Sequence, residues 1–353
     1  MLERFQATGF RNLQSLEWRL APGAQLLLGD NGAGKTSLLE AVYLLATTRS
    51  FRTSQIADCL RHGADRFDLL GEVRGVARCR LEFSLEEGQR LRRLNGSETS
   101  LAEHLAVLPA VAWTARDGEL ISGSPEARRR FLDRGVIGLG PRGLEVVGKF
   151  RKVLAQKRQI LLRGQDGLEV WNELLATCAA ELMERRLHYV NLVAKELREV
   201  LEDCGLPFEA WSLSYRPSLG ELREPMEIVR RLARLKSQER QRQRPLVGPH
   251  LDEVEISWGD QALKRMASAG ERKAFGLALL AAHGRVLSAA GHDPIYLLDD
   301  ADTELSRPTL QKVWRAFSDC GQLIATSNRP EVWEGVSLDT LWRLDSGKLS
   351  ELG

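Results

Sequence analysis

The chain has 353 residues, 43% apolar and 28% charged, with a formal net charge of +2 at pH 7. That size suggests two or three domains, or one large α/β domain with an added lobe, and the apolar share is enough for a sizeable core. A near-neutral balance excludes a global field for nucleic acid, so any basic face must be local. No run of about 18 apolar residues occurs, so no membrane span is expected. Met1 to Leu13 is charged and lacks a signal-peptide core. Cys59, Cys79, Cys178, Cys204 and Cys320 are scattered with no C-x-x-C pair, so reduced thiols in a cytoplasmic protein without a zinc site are expected.

Met1 to Leu28 reads as two or three short strands, with Arg11 and Asn12 at the first turn and Ala21-Pro22-Gly23 marking another. Gly29-Asp30-Asn31-Gly32-Ala33-Gly34-Lys35-Thr36 then follows the apolar run Leu26-Leu27-Leu28. It fits G-x-x-x-x-G-K-[ST] between a strand and a helix that opens at Ser37, which is the context of a P-loop. Glycines let backbone N–H groups curl round a polyphosphate at a helix N-terminus. Lys35 reaches the β- and γ-phosphates of ATP, and Thr36 holds Mg²⁺. Thr48 to Thr53 is polar and irregular. Phe67 to Leu94 reads as an antiparallel meander, with Asn95-Gly96 as a hairpin signal, and Val107 to Trp113 is an apolar run able to re-enter the main sheet.

Composition shifts near Ser122-Gly123-Ser124-Pro125, and Pro125 suits the first turn of a helix. Long helical patterns follow over Arg142 to Arg163 and Leu168 to Cys204. Leu174, Leu175, Cys178, Leu182, Met183, Leu187, Val190, Val193, Leu197 and Leu201 are spaced for one buried face. A short strand is expected at Glu209 to Tyr215, then an arginine-rich helix over Met226 to Arg242. Residues 123–243 are read as a helical lobe inserted between two parts of one nucleotide-binding domain, 1–122 and 244–353.

In the last part, Val254 to Trp258 alternates like a strand and Glu271 to Ala290 is an apolar helix. Ser268-Ala269-Gly270 opens that helix as an N-cap and anion site, where ATP-binding-cassette enzymes carry their signature motif. Ile295 to Leu298 is a buried strand ending in Asp299-Asp300, the form of a Walker B strand: Asp299 orders the metal and Asp300 polarises the attacking water. Thr303-Glu304-Leu305-Ser306 occupies the D-loop place. Thr326-Ser327-Asn328 stands where many cassette enzymes have a switch histidine, so slow hydrolysis is expected, with only weak phosphate contacts from Ser327 or Asn328. A closing hairpin runs from Leu341 through Asp345-Ser346-Gly347-Lys348 to Leu349.

Essentially the whole chain resembles the RecF family, the recombination mediator ATPases related to SMC proteins. Two specific stretches carry the likeness: Gly123-Ser124-Pro125-Glu126-Ala127-Arg128-Arg129-Arg130-Phe131-Leu132-Asp133, and Gly248-Pro249-His250-Leu251-Asp252. Thr36 to Ala41 and Ser50-Phe51-Arg52 are also similar to the family. Three departures stand out: Glu271 for the usual glutamine, Ser306 for the usual D-loop aspartate, and Ala115-Arg116-Asp117 for the usual Pro-Glu-Asp. The resemblance implies an ABC-type, SMC/RecF-like α/β ATPase head with a mostly helical inserted lobe. It implies ATP and Mg²⁺ as cofactors, weak DNA-dependent ATP hydrolysis, and an ATP-dependent homodimer with Ser268 and Gly270 acting in trans. Partners so implied are duplex DNA and single/double-strand junctions, and RecR with RecO in loading RecA.

Catalytic candidates are therefore Lys35, Asp299 and Asp300. Nucleotide-binding candidates are residues 29–37, including Ser37, with Arg11 and Asn12 at the loop mouth. Candidate DNA contacts are Arg128, Arg129, Arg230, Arg234 and Arg240, since affinity for DNA comes mainly from Lys and Arg. The charged-exterior reading of the arginine helix, with Glu227 and Glu239 as local partners, stays open. His250 is read as support for the nucleotide domain. Two other functions compete with a DNA-repair clamp. Against a transporter cassette, a helical lobe separates Walker A from the signature and this chain shows no family-like coupling stretch to a membrane partner; an anti-phage or other non-repair ATPase would share the scaffold.

Overall fold

The computed structural model describes residues 1–114, 118–345 and 347–352. The Ala115 to Asp117 departure and Ser346 of the last hairpin lie outside the described residues. In chain order come strands β1 (Leu2–Phe10), β2 (Leu13–Arg19) and β3 (Gly23–Leu28), helix α1 (Lys35–Thr47), strands β4 (Arg66–Arg74), β5 (Arg78–Glu86), β6 (Gln89–Leu94) and β7 (Ser97–Glu98), helix α2 (Leu101–Val107) and strand β8 (Ala110–Trp113). Helices α3 (Gly118–Ser122), α4 (Pro125–Gly138), α5 (Pro141–Arg163) and α6 (Leu168–Cys204) follow, then β9 (Trp211–Arg216), α7 (Pro225–Arg242), β10 (Glu253–Trp258), β11 (Gln261–Ala262) and α8 (Leu263–Met266). The chain closes with α9 (Ala269–Ala289), β12 (Ile295–Leu298), α10 (Arg307–Trp314), β13 (Gln322–Ser327), β14 (Thr340–Asp345) and β15 (Lys348–Leu352).

The chain divides into two compact units, Met1–Gly118 with Glu199–Pro207 and Ser268–Gly353, and Glu119–Arg198 with Phe208–Ala267. The first holds two six-stranded sheets. One has the order β15-β14-β3-β13-β12-β8, parallel except for the β14–β15 hairpin. Strand β12 is a continuous apolar run and β13 is buried along its whole length, as expected of strands covered on both faces. The other, β2-β1-β4-β5-β6-β7, is antiparallel, and β1, β2 and β4 alternate buried and open positions. Helix α1 touches strands of both sheets and is buried continuously from Ser37 to Ala46, so it carries no polar face. Each leucine so enclosed contributes about 1.5–3 kcal/mol. Val107 to Trp113 does re-enter the main sheet, as β8 paired in parallel to β12.

In the second unit, α6 buries Leu175, Cys178, Leu182, Met183, Val190 and Val193, but Leu174 and Leu187 face outward. Both were expected on the buried face; a long helix drifts past any one stripe, and these two fall at its margins. Strand β10 pairs with β9 and β11 in a separate three-stranded sheet. The stretch up to Ala267 therefore belongs with the lobe, although the sequence suggested a return to the nucleotide domain at residue 244. Spacing identifies β10 as a strand but cannot say which strand it joins. His250 lies in this second unit too, not in the nucleotide domain.

Candidate functional site: a P-loop facing a buried carboxylate

Strands β3, β13 and β12 run parallel, with Leu28 opposite Ser327 and Leu298 opposite Ala325. Their C-terminal ends meet at one sheet edge, where open α/β sheets bind ligands. The loop after β3 turns on Gly34, whose φ of 110° is left-handed space that glycine enters without strain. A Cβ there would also lie 2.9 Å from Asn12 Nδ2. Asn12 donates to the Gly32 carbonyl at 3.3 Å, so it braces the loop from the β1–β2 turn. Asp30, Asn31 and Gly32 are exposed, while Ser37 is buried in the first turn of α1. Lys35, only 6% exposed, donates from Nζ to the Gly29 and Asp30 carbonyls at 2.7 and 3.2 Å.

Across the loop, Thr36 Oγ1 donates to Asp299 Oδ1 at 3.0 Å, and Thr326 donates to the same oxygen at 2.9 Å. Asp299 is buried. Burial first, then the Asp300 charge, hold its carboxyl above the usual range against the two hydroxyls and Lys35. A carboxylate in that position gains from a cation, and with Thr36 beside it the donor set is the hard oxygen kind that suits Mg²⁺. Asp300 follows at φ 47°, its N–H given to Thr326 Oγ1 at 2.9 Å.

Arg11 does not turn to the loop. Its guanidinium grips Glu40 on α1 at 2.8 and 2.9 Å, with a further bond to the Asp58 carbonyl. Glu40 is fully buried and also receives Ser50 Oγ and Arg52, the latter at 3.4 Å. A buried acid must be paired, and Arg11 and Arg52 supply that pairing. Ser327 likewise is not free: it is buried and donates to Asp302 at 2.9 Å. Asn328 is exposed and bonds Asn31 of the loop at 3.1 Å.

Ser268 is the N-cap of α9. Its Oγ accepts from Glu271 N at 3.3 Å, and Glu271 accepts from Ser268 N at 2.8 Å. That reciprocal pair is a capping box, and the bond from Ser268 N–H holds the Glu271 carboxyl low. Gly270 is part-buried. Ser306 caps α10 by accepting from Thr309 N at 3.4 Å.

The model described as RecF/RecN/SMC N terminal domain matches residues 1–347. The DNA replication and repair protein RecF of Rhodococcus erythropolis (strain PR4 / NBRC 100887) is 33% identical, over 94% of this chain and 90% of its own. That of Acidothermus cellulolyticus (strain ATCC 43068 / DSM 8971 / 11B) is 32% identical, over 92% and 93%. This chain belongs to the RecF family. A solved structure of the recombination mediator protein RecF with ATP, in the RecFOR pathway, matches the fold with a TM-score of 0.89 at 24% identity, over 100% of this chain and 97% of that one. The Smc head bound to the C-winged helix domain of ScpA matches with a TM-score of 0.59 at 16% identity, over 100% and 97%. The fold is that of an ABC-type, SMC/RecF-like head.

The two family-specific stretches meet in the second unit. Arg186, 2% exposed, donates to Asp133 Oδ1 at 2.7 Å, to Asp252 Oδ2 at 2.9 Å and to the Pro249 carbonyl at 2.7 Å. Tyr215 and the Ser218 N–H complete Asp252. Arg128 is buried and forks onto Glu253 at 2.6 and 2.9 Å, and Arg129 donates to the Asp252 carbonyl at 3.0 Å. Arg128 is thus taken up inside the unit, contrary to expectation, while Arg129 is half-buried: an arginine run at a helix start looks the same whether its acids lie far along the chain or in solvent. Arg240 is tied to Asp166 and Gln165 at 3.3 and 3.4 Å. Arg230 and Arg234 are exposed on α7, and among the described residues neither forms an ion pair. Glu239 is not their partner. It is fully buried against Lys157 of α5 at 2.8 Å, and burial lowers the Lys157 pKa.

Proposed function

We propose that this chain is an ATP-dependent DNA-binding protein of recombinational repair and replication restart. Two copies close head-to-tail around ATP, grip duplex DNA or a single/double-strand junction, and release it after slow hydrolysis. The observation that carries the reading is Thr36 beside Asp299, a hydroxyl and a buried carboxylate 3.0 Å apart at the mouth of a P-loop. Bound Mg·ATP supplies a divalent cation and the scissile γ-phosphoryl bond. Lys35 would turn from its loop carbonyls to the phosphate oxygens, and Thr36 and Asp299 would hold the metal. Asp300 orients water. Ser268 and Gly270 present the α9 N-terminus to the nucleotide of the other copy. The lack of a histidine at Ser327-Asn328 supports slow turnover. Relatives named for DNA replication and repair support the cellular role; RecR with RecO, the loading of RecA and a cytoplasmic setting belong to the same proposal. Nothing favours the anti-phage alternative.

The test is titration of a fluorescent ATP analogue with and without Mg²⁺. Lys35→Ala is expected to weaken binding at least about tenfold, the scale of removing charge-assisted hydrogen bonds. Asp299→Asn should retain the nucleotide and lose its Mg²⁺ dependence. A Lys35→Ala protein that binds like the parent would overturn the site.

A further inference from the structure

Lys273 lies on α9, beyond Ser268 and Gly270, and is 8% exposed. Its ammonium donates to the Asp300 carbonyl at 2.8 Å and to the Thr303 hydroxyl. Thr303 returns both its hydroxyl and its N–H to that same carbonyl, at 2.9 and 3.2 Å. Non-glycine residues in left-handed space open this turn and follow it, Asp300 at φ 47° and Glu304 at φ 63°. Such conformations persist only where the surroundings over-determine them. A second close approach comes from the same helix: a Cβ on Gly270 would lie 2.8 Å from the Glu304 carbonyl. Asp302 is fixed beneath by Ser327 at 2.9 Å and Arg329 at 3.1 Å. Burial lowers the Lys273 pKa and Arg329 adds to that, while Glu304, Asp302 and Asp300 support the ammonium.

We propose that Lys273 is a positioning residue for hydrolysis: it ties the α9 N-terminus to the Asp300–Thr303 turn and so sets where the Asp300 carboxylate stands. This rests on the role given to Asp300 above. The carbonyl that Lys273 holds and the carboxylate that meets water belong to one residue, so freeing the first lets the second swing. Because Ser268 and Lys273 share one rigid helix, a second copy docking on Ser268 displaces the Asp300 turn through this tether.

The variants are Lys273→Met, Lys273→Arg and Thr303→Val, made in the full chain. Hydrogen exchange of residues 300–305 is read without nucleotide, alongside kcat and KM for ATP with duplex DNA and the Kd of a non-hydrolysable analogue. Lys273→Met and Thr303→Val are expected to speed exchange across 300–305. They should lower kcat about ten- to hundredfold, the scale of a misplaced reacting group, with the Kd nearly unchanged. Lys273→Arg should recover part of both. Unchanged exchange, or unchanged kcat in a folded Lys273→Met protein, overturns the proposal, as does an equal loss of kcat and analogue binding that arginine does not relieve. If Lys273→Met fails to fold, the near-isosteric Thr303→Val decides. A parent without ATPase activity would defeat the function proposed above, and the exchange result alone would then judge the tether.

Discussion

Glu271 and Ser306 show how a departure from a family pattern can leave local structure intact. Glutamine and glutamate both close a capping box, and serine and aspartate both cap a helix; here Glu271 and Ser306 do so. The sequence made both positions visible but not their replacements' adequacy, because that depends on which N–H each oxygen meets. His250 offers a measurable consequence. Burial, with Arg158, Lys157 and Arg129 nearby, pushes its pKa down to about 4, whereas an unfolded imidazole titrates near 6.5. As pH falls the unfolded chain takes the proton first, so His250 leaves stability intact above about 6.5 and drains up to about 3 kcal/mol between there and about 4. Urea midpoints for the parent and His250→Gln should therefore diverge in slope across that window. Parallel slopes would show a histidine that titrates normally.

At the scale of elements, the P-loop and its flanking strand and helix were legible because the motif is local. Helices α5 and α6 were legible because their apolar spacing runs long. Helix α2 was missed although Ser100 and Glu103 form a capping box at its start; seven residues give too little periodicity. Ion pairs over long sequence distance were not legible, and this is why Arg128 and Glu239 were misread. Helix α7 buries Ile228, Leu232 and Glu239 and leaves Arg230 and Arg234 outside. Arg230→Gln with Arg234→Gln should leave the thermal midpoint nearly unchanged and reduce the salt slope of duplex binding by about two, roughly one for each cation withdrawn from a phosphate. Arg128→Gln should do the reverse, destabilising the fold by about 1–3 kcal/mol through loss of the charge-assisted fork onto the half-buried Glu253 without changing the slope. An unchanged slope in the α7 variant would place the DNA path elsewhere.

For the molecule as a whole, the first unit brings Lys35, Thr36, Asp299 and Asp300 to one sheet edge, and the same unit carries Ser268 at the start of α9. Two such units related by a twofold axis, each P-loop against the other's Ser268, would give two equivalent composite sites, the isologous arrangement of a closed dimer. Static light scattering with a saturating non-hydrolysable ATP analogue, on the parent, Lys35→Ala and Ser268→Arg proteins, reads that arrangement directly. The parent should double in mass while both variants stay single. A parent that stays single, or variants that pair as it does, would contradict the two-copy clamp.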